Sequence, residues 1–255
     1  MPTPVSLRQR LHAGEAVNVV SGPFNGEIVD YLGQFGLDGI WIECEHGAAD
    51  WRDIADWSRA CDLWGMASLV RVPTAEPWYV TRTLDNGASG IVVPHVNTRE
   101  QAEGVVAAAK FAPLGARGMF GGRRSFGAGD YFARANDETL VVVMIEEREA
   151  IENLADILAV PHIDVFFVAP ADLAQSMGHI GNIAHPEVQD AIDAALAQIV
   201  AAGRVAGTIG ADATRTRYLD MGVRFFYTGW TGWLAAGAKA MQGDLAAWNR
   251  RPERA

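Results

Sequence analysis

Residues 140–160 read LVVVMIEEREAIENLADILAV. Six apolar residues run without a break from Leu140 to Ile145, two glutamates follow, and an amphipathic stretch takes over at 149–160. A short, uninterrupted run rich in Val and Ile reads as a strand buried on both faces, as strands of parallel sheets are. The stretch after it reads as a helix lying on that sheet. Working outward, the same unit recurs along the chain. Strands are predicted at 17–21, 39–45, 67–72, 90–96, 140–147, 163–170, 205–210 and 224–229. Helical patterns lie between them, among them 51–64, 99–111, 149–160 and 186–202. In the last, Val188, Ala191, Ile192, Ala195, Leu196 and Ile199 recur at intervals of three and four, the stripe of a helix packed on a sheet. Eight strand-then-helix units in 255 residues match a (β/α)8 TIM barrel forming one domain, 1–255. A doubly wound open sheet, the competing architecture, ordinarily uses fewer strands. The Gly- and Arg-rich segment 112–138 is the largest interruption and reads as a long functional loop.

Composition narrows the function. A formal net charge of -10 argues against nonspecific nucleic-acid binding, which needs clustered Lys and Arg. Arg117, Arg123 and Arg124 form the one visible basic cluster for an anionic substrate. Cys44 and Cys61 build neither a disulfide framework nor a CxxC pair. The opening MPTPVSLRQRLHAGEAV lacks the apolar core of a secretory signal, and no apolar run approaches the roughly 18 residues that cross a bilayer. The expectation is a soluble cytoplasmic protein.

Reactive groups of such a barrel belong at the carboxyl ends of its strands. Those ends read Glu43-Cys44-Glu45-His46, Arg71-Val72-Pro73, Pro94-His95-Val96, Glu146-Glu147 and Pro170-Ala171-Asp172. Glu146 follows an apolar run, so once buried it must be paired, protonated or metal-bound. Asp172 opens a helix, where capping is the commonplace role. Together the two acids offer hard oxygen ligands to a cation such as Mg2+. His46 is either a loop histidine or a general base, with an unperturbed pKa of about 6.5. Arg71 either pairs with Glu43 or Glu146 or stabilises an oxyanion. His95 reads as a structural or supporting residue. Nucleotide-binding glycine motifs and a GxSxG elbow are absent. The two lysines, Lys110 and Lys239, lie away from strand ends, which disfavours a Schiff-base aldolase.

The ordered set Glu43-x-Glu45-His46-Gly47, Val70-Arg71-Val72, Leu84-Asp85-x-Gly87-Ala88, Pro113-x-Gly115-x-Arg117-Gly118, Met144-Ile145-Glu146 and Pro170-Ala171-Asp172-Leu173 resembles the HpcH/HpaI family of class II pyruvate aldolases. The likeness runs over roughly residues 11–240. It implies a hexameric barrel that uses Mg2+, Mn2+ or Co2+ held by Glu146 and Asp172. It implies a 2-keto acid whose carboxylate meets the backbone N–H groups of Ala171 and Asp172, and whose keto oxygen meets Arg71. By the same resemblance His46 is the base, with Asp85 at the position of its acidic partner, and Glu43 stands in the catalytic group where relatives carry Asp. The implied reaction cleaves a 4-hydroxy-2-oxo acid to pyruvate or hydroxypyruvate and an aldehyde. Acyl transfer, decarboxylation and noncatalytic keto-acid binding are the alternatives. Ala169, in place of the usual Gly, is a further departure that adds a methyl group close to the keto-acid pocket, and the Trp230/Trp233 pair after the last strand is another, expected to reshape the aldehyde pocket or serve an oligomer interface.

Overall fold

The computed structural model describes residues 6–250; the outermost residues of the expected 1–255 domain lie outside these. Eight parallel strands close in chain order: β1 Val17–Ser21, β2 Gly39–Glu43, β3 Ala67–Arg71, β4 Gly90–Val93, β5 Leu140–Ile145, β6 Val165–Val168, β7 Val205–Ile209 and β8 Phe225–Gly229. β8 returns to β1 in register, from Val17 opposite Phe225 to Ser21 opposite Gly229. The architecture is thus the expected (β/α)8 barrel, and the open sheet is ruled out because neither edge is free.

Two apolar layers explain why each strand reads as a continuous run. Trp41, Leu69, Val92, Val142, Met144, Phe167 and Phe225 point into the barrel. Their neighbours Ile40, Ile42, Val70, Ile91, Val143, Phe166 and Val168 point outward and pack under the helices. Gly207 makes room for the interior aromatics, since a Cβ there would stand 3.0 Å from the rings of both Phe167 and Phe225. The helix Leu7–His12, begun by a Ser6/Gln9 capping box, stoppers the amino end. Its Leu7 and Leu11 join the interior cluster, and Arg8 and His12 reach buried Asp164 at 2.7 and 2.9 Å. Lys110 is buried on the outer side, where its Nζ donates to the carbonyls of Asn136 and Thr139, and burial pushes its pKa down to about 8.

The strands end earlier than the sequence suggests, chiefly at the carboxyl side: β2 stops at Glu43, β4 at Val93, β5 at Ile145 and β6 at Val168. The polar residues just beyond leave the ladder and turn toward the barrel mouth. The helix expected at 149–160 is two short ones, Arg148–Glu152 and Leu154–Leu158. Asn153 stands between them, and its Nδ2 donates to the Asn97 carbonyl at 2.9 Å. The segment 112–138 is not loop throughout, because Gly122–Ser125 forms a 3-10 turn and Tyr131–Glu138 an α-helix.

The last helix, Trp230–Asn249, has no buried residue. Leu234, Met241, Leu245 and Trp248, spaced by seven, four and three, form one exposed apolar stripe along it. Among the described residues no helix is long and apolar enough to cross a membrane.

Candidate active site

Parity along the strands brings the polar residues together. On β2, Trp41 and Glu43 share the inward face; on β3, Leu69 and Arg71 do; on β5, Met144 is inward and Glu146 follows at the same parity. The uppermost inward layer is therefore charged where the layers beneath are apolar. It borders a cavity of about 150 Å3 lined by Trp41, Glu43, Arg71, Phe167, Ala171, Asp172 and Tyr227, among others.

Arg71 is held from two sides. Its Nε donates to Glu43 Oε2 at 2.6 Å, and its Nη1 lies 2.9 Å from Glu45 Oε2. Burial works against the guanidinium charge, but Glu43, Glu45 and Glu146 outweigh it and hold the pKa above the ordinary value. Glu43 also organises the loop after β2, its Oε1 accepting the backbone N–H of Glu45 and of His46. That leaves the His46 ring free, with 67% of its side chain exposed and Nε2 3.9 Å from Glu45.

Glu146 is the most unusual group. It is 1% exposed and accepts one hydrogen bond, from the backbone N–H of His95 at 2.7 Å. Burial is the main reason its pKa is pushed up to about 7; nearby Asp172 and Glu45 add to the rise, against a partial offset from His95. His95 carries a left-handed φ of 56°, a conformation that side-chain-bearing residues adopt at a cost. The turn places its Nδ1 2.6 Å from Glu147 and its Nε2 3.2 Å from Glu45. Asp172 lies in the first turn of the helix Pro170–Ser176, whose N-cap is Ala169 with no side-chain capping bond, so Asp172 is not spent on the cap. Five carboxylates (Glu43, Glu45, Glu146, Glu147 and Asp172) thus gather around one arginine and two histidines. Such an excess of buried or half-buried negative charge suits a divalent cation on hard oxygen ligands.

The sequence profile of the HpcH/HpaI aldolase/citrate lyase family matches residues 21–237. The chain belongs to that family. It is 38% identical over 236 residues to a hydroxypyruvate/pyruvate aldolase of Agrobacterium fabrum, covering 90% of this chain and 89% of the relative. It is 35% identical to a 5-keto-4-deoxy-D-glucarate aldolase of Shigella boydii, with 83% of each chain covered. A solved HpcH/HpaI aldolase/citrate lyase family protein from Burkholderia cenocepacia superimposes with a TM-score of 0.88 at 32% identity, over 94% of this chain and 98% of that one. As a member of this family the protein is a carbon–carbon lyase of the class II aldolase type.

Against that family background, Glu43, Arg71, Glu146, Ala171 and Asp172 converge at the barrel mouth, with His46 on its rim. Asp85 does not. It ends the helix Pro77–Asp85, just before Ser89, which bonds Ser68 at the amino end of β3, so Asp85 sits at the opposite rim. There Arg117 Nη2 donates to it at 2.7 Å. The expectation that Asp85 partners His46 is corrected to that extent: within one chain a strand's length separates them. The basic cluster is likewise at the amino rim and already engaged, Arg123 with Asp62 and Ser58, Arg124 with the Gly87 carbonyl and Ser89. Neither Trp230 nor Trp233 lines the cavity. Trp230 packs over Gly22, where a Cβ would overlap its indole, and Trp233, in the first turn of the last helix, is exposed.

Three further residues shape the site. Glu45 and His95 link Arg71 to Glu146, and the strand-end position of both was their visible signal. Tyr227, edge-on to Trp41 at 5.1 Å, lines the cavity, whereas Trp230 and Trp233, for which a pocket or an interface role was expected, do not. Its inward parity on β8 was the available clue.

Proposed function

We propose that this protein reversibly cleaves 4-hydroxy-2-oxo acids to pyruvate or hydroxypyruvate and an aldehyde, using Mg2+, Mn2+ or Co2+. The observation that carries the reading is the barrel mouth itself: a cavity of about 150 Å3, suited to a small keto acid, bordered by Arg71 and Asp172 and flanked by buried, cation-poor Glu146. Two curated relatives are named as aldolases, one of them for hydroxypyruvate and pyruvate.

Glu146 and Asp172 would hold the metal, which supplies positive charge to the keto acid's carboxylate and keto oxygens. The N–H groups of Ala171 and Asp172, in a first helical turn that lacks intrahelical acceptors, receive the carboxylate. Arg71 faces the keto oxygen, where negative charge grows as C3 loses its proton, so its attraction is stronger in the transition state than in the ground state. Glu43 and Glu45 keep that guanidinium charged and aimed. His46 Nε2 takes the C3 proton and returns it to the aldehyde oxygen when the new carbon–carbon bond forms.

The reading includes a cytoplasmic homo-oligomer, a hexamer. The exposed Leu234–Trp248 stripe supports assembly, because an apolar face of that length is ordinarily covered. Asp85 can serve His46 only from a second copy of the chain.

The direct test incubates protein, Mn2+ and pyruvate in D2O and follows the C3 methyl signal, then adds a panel of aldehydes. Exchange at C3 and carbon–carbon products are expected. A methyl signal that never exchanges, with no adduct from any aldehyde, rejects the aldolase reading.

A further inference from the structure

Outside the barrel mouth, on the outer edge of its carboxyl rim, a second group of ligand-type side chains comes together. Among the described residues, His179, His185 and Glu187 are the one trio of metal-ligating types whose donor atoms all lie within 4.8 Å of one another. The chain is folded to produce this meeting. Gly178 and Gly181 turn the backbone through positive φ, Asn182 N–H donates to the His179 carbonyl, and His185 N–H donates to the Asn182 carbonyl. These successive turns bring His185 back over His179, their rings stacked 3.6 Å apart at 15°. Pro186 then starts the helix Pro186–Ala201, and Glu187 lies in its first turn.

Local stability does not account for these residue choices. His185 occupies the N-cap, where Ser, Thr, Asp or Asn would hold the helix, and its side chain makes no capping bond. Its Nδ1 is buried and has no hydrogen-bond partner. Glu187 Oε2 sits 2.9 Å from His179 Nε2, while Oε1 is 3.4 Å from Arg148, an exposed contact that is weak.

We propose that His179, His185 and Glu187 form a second divalent-metal site, separate from Glu146 and Asp172 and selective for borderline ions such as Zn2+, Ni2+ or Cu2+. Two imidazole nitrogens and one carboxylate oxygen are a zinc-type donor set that leaves room for water, whereas a pair of carboxylates favours Mg2+ or Mn2+. The stacked rings run their lone pairs side by side, so binding turns one ring about its χ angles and draws Glu187 from Arg148. An occupied site ties the loop 177–185 to the helix Pro186–Ala201, immediately after the helix that carries Asp172.

The test is Zn2+ titration by calorimetry with excess Mg2+ present to occupy hard-oxygen sites. One Zn2+ should bind per chain, and Zn2+ should raise the thermal midpoint. His179→Ala and His185→Ala should each weaken binding at least about tenfold and Glu187→Gln several-fold, with aldolase turnover in Mg2+ unchanged. Cu2+ electron paramagnetic resonance should show nitrogen coupling that disappears in the His179→Ala/His185→Ala double variant. Circular dichroism and the midpoint without Zn2+ report whether each variant is folded. Unchanged Zn2+ affinity in the folded double variant overturns the proposal, and so does Zn2+ binding that vanishes in Glu146→Gln instead. A parent chain without aldolase activity leaves the Zn2+ affinity, thermal-midpoint and resonance outcomes intact, since none of these three reads catalysis.

Discussion

Glu43 Oε2 accepts from Arg71 Nε at 2.6 Å while Glu43 Oε1 accepts the N–H groups of Glu45 and His46. One carboxylate therefore aims Arg71, the proposed oxyanion-binding group, and shapes the loop that presents His46, the proposed base. The two oxygens of the one glutamate side chain divide these contacts, Oε2 toward Arg71 and Oε1 toward the loop backbone. Glu43→Asp should shorten that reach by about 1 Å and lower kcat by roughly 10-fold, because catalytic geometry is sensitive on that scale. Steady-state kinetics decide it; an unchanged kcat means the second task is dispensable.

Arg71→Lys keeps a charge but loses the fork that Glu43 and Glu45 grip. In the proposed mechanism its role strengthens only as the keto oxygen gains charge, so kcat should fall by roughly 10²-fold while metal affinity stays within a few-fold. Equal losses in turnover and metal binding would show instead that Arg71 holds the site together.

Glu146 makes stability depend on pH with a definite sign. Its pKa rises from 4.5 to about 7, chiefly through burial, so folding favours the protonated form. The associated stability is complete below pH 4.5 and is lost as pH climbs through 7. Chelator-treated Glu146→Gln, which cannot ionise, should lack that loss and exceed the parent's stability at pH 8 by on the order of 2 kcal/mol. Urea unfolding of both proteins at pH 5 and pH 8 measures the difference; parallel pH dependence would falsify the assignment. The same variant should be inactive as an aldolase.

Tyr227 lines the cavity together with Arg71 and packs edge-on against Trp41. Tyr227→Val removes the ring without touching any charged group. Bulkier aldehydes should gain in kcat/KM relative to small ones, while turnover of the parent's best pair drops. Comparing an aldehyde series on both proteins reveals whether the ranking moves.

Asp85 lies at the rim opposite His46, so shared sites make a distinctive prediction. His46→Ala and Asp85→Asn chains, each nearly inactive alone, should regain activity when unfolded and refolded together. A mixed interface then pairs an intact His46 with an intact Asp85. Mixtures no more active than the sum of their parts would place Asp85 in a purely structural role with Arg117.

The barrel was legible because its physics is local. A strand covered on both faces must be apolar throughout, so each one stands out as a run such as Leu140–Ile145, and eight runs count the strands. The strand-end rule likewise picked out Glu43, Arg71, Glu146 and Asp172 before any contact was visible. What the tertiary structure decided is who meets whom. His95 reaches Glu45, Glu147 and Glu146 because of one backbone turn with positive φ, which no periodicity encodes. Asp85 falls at the far rim because the helix that ends with it runs from the carboxyl to the amino side, a consequence of topology alone. Tyr227, rather than Trp230 or Trp233, walls the cavity because parity within a closed barrel sends alternate side chains inward. Sequence determines which residues are costly to bury; only the closed ring determines which of them share that cost.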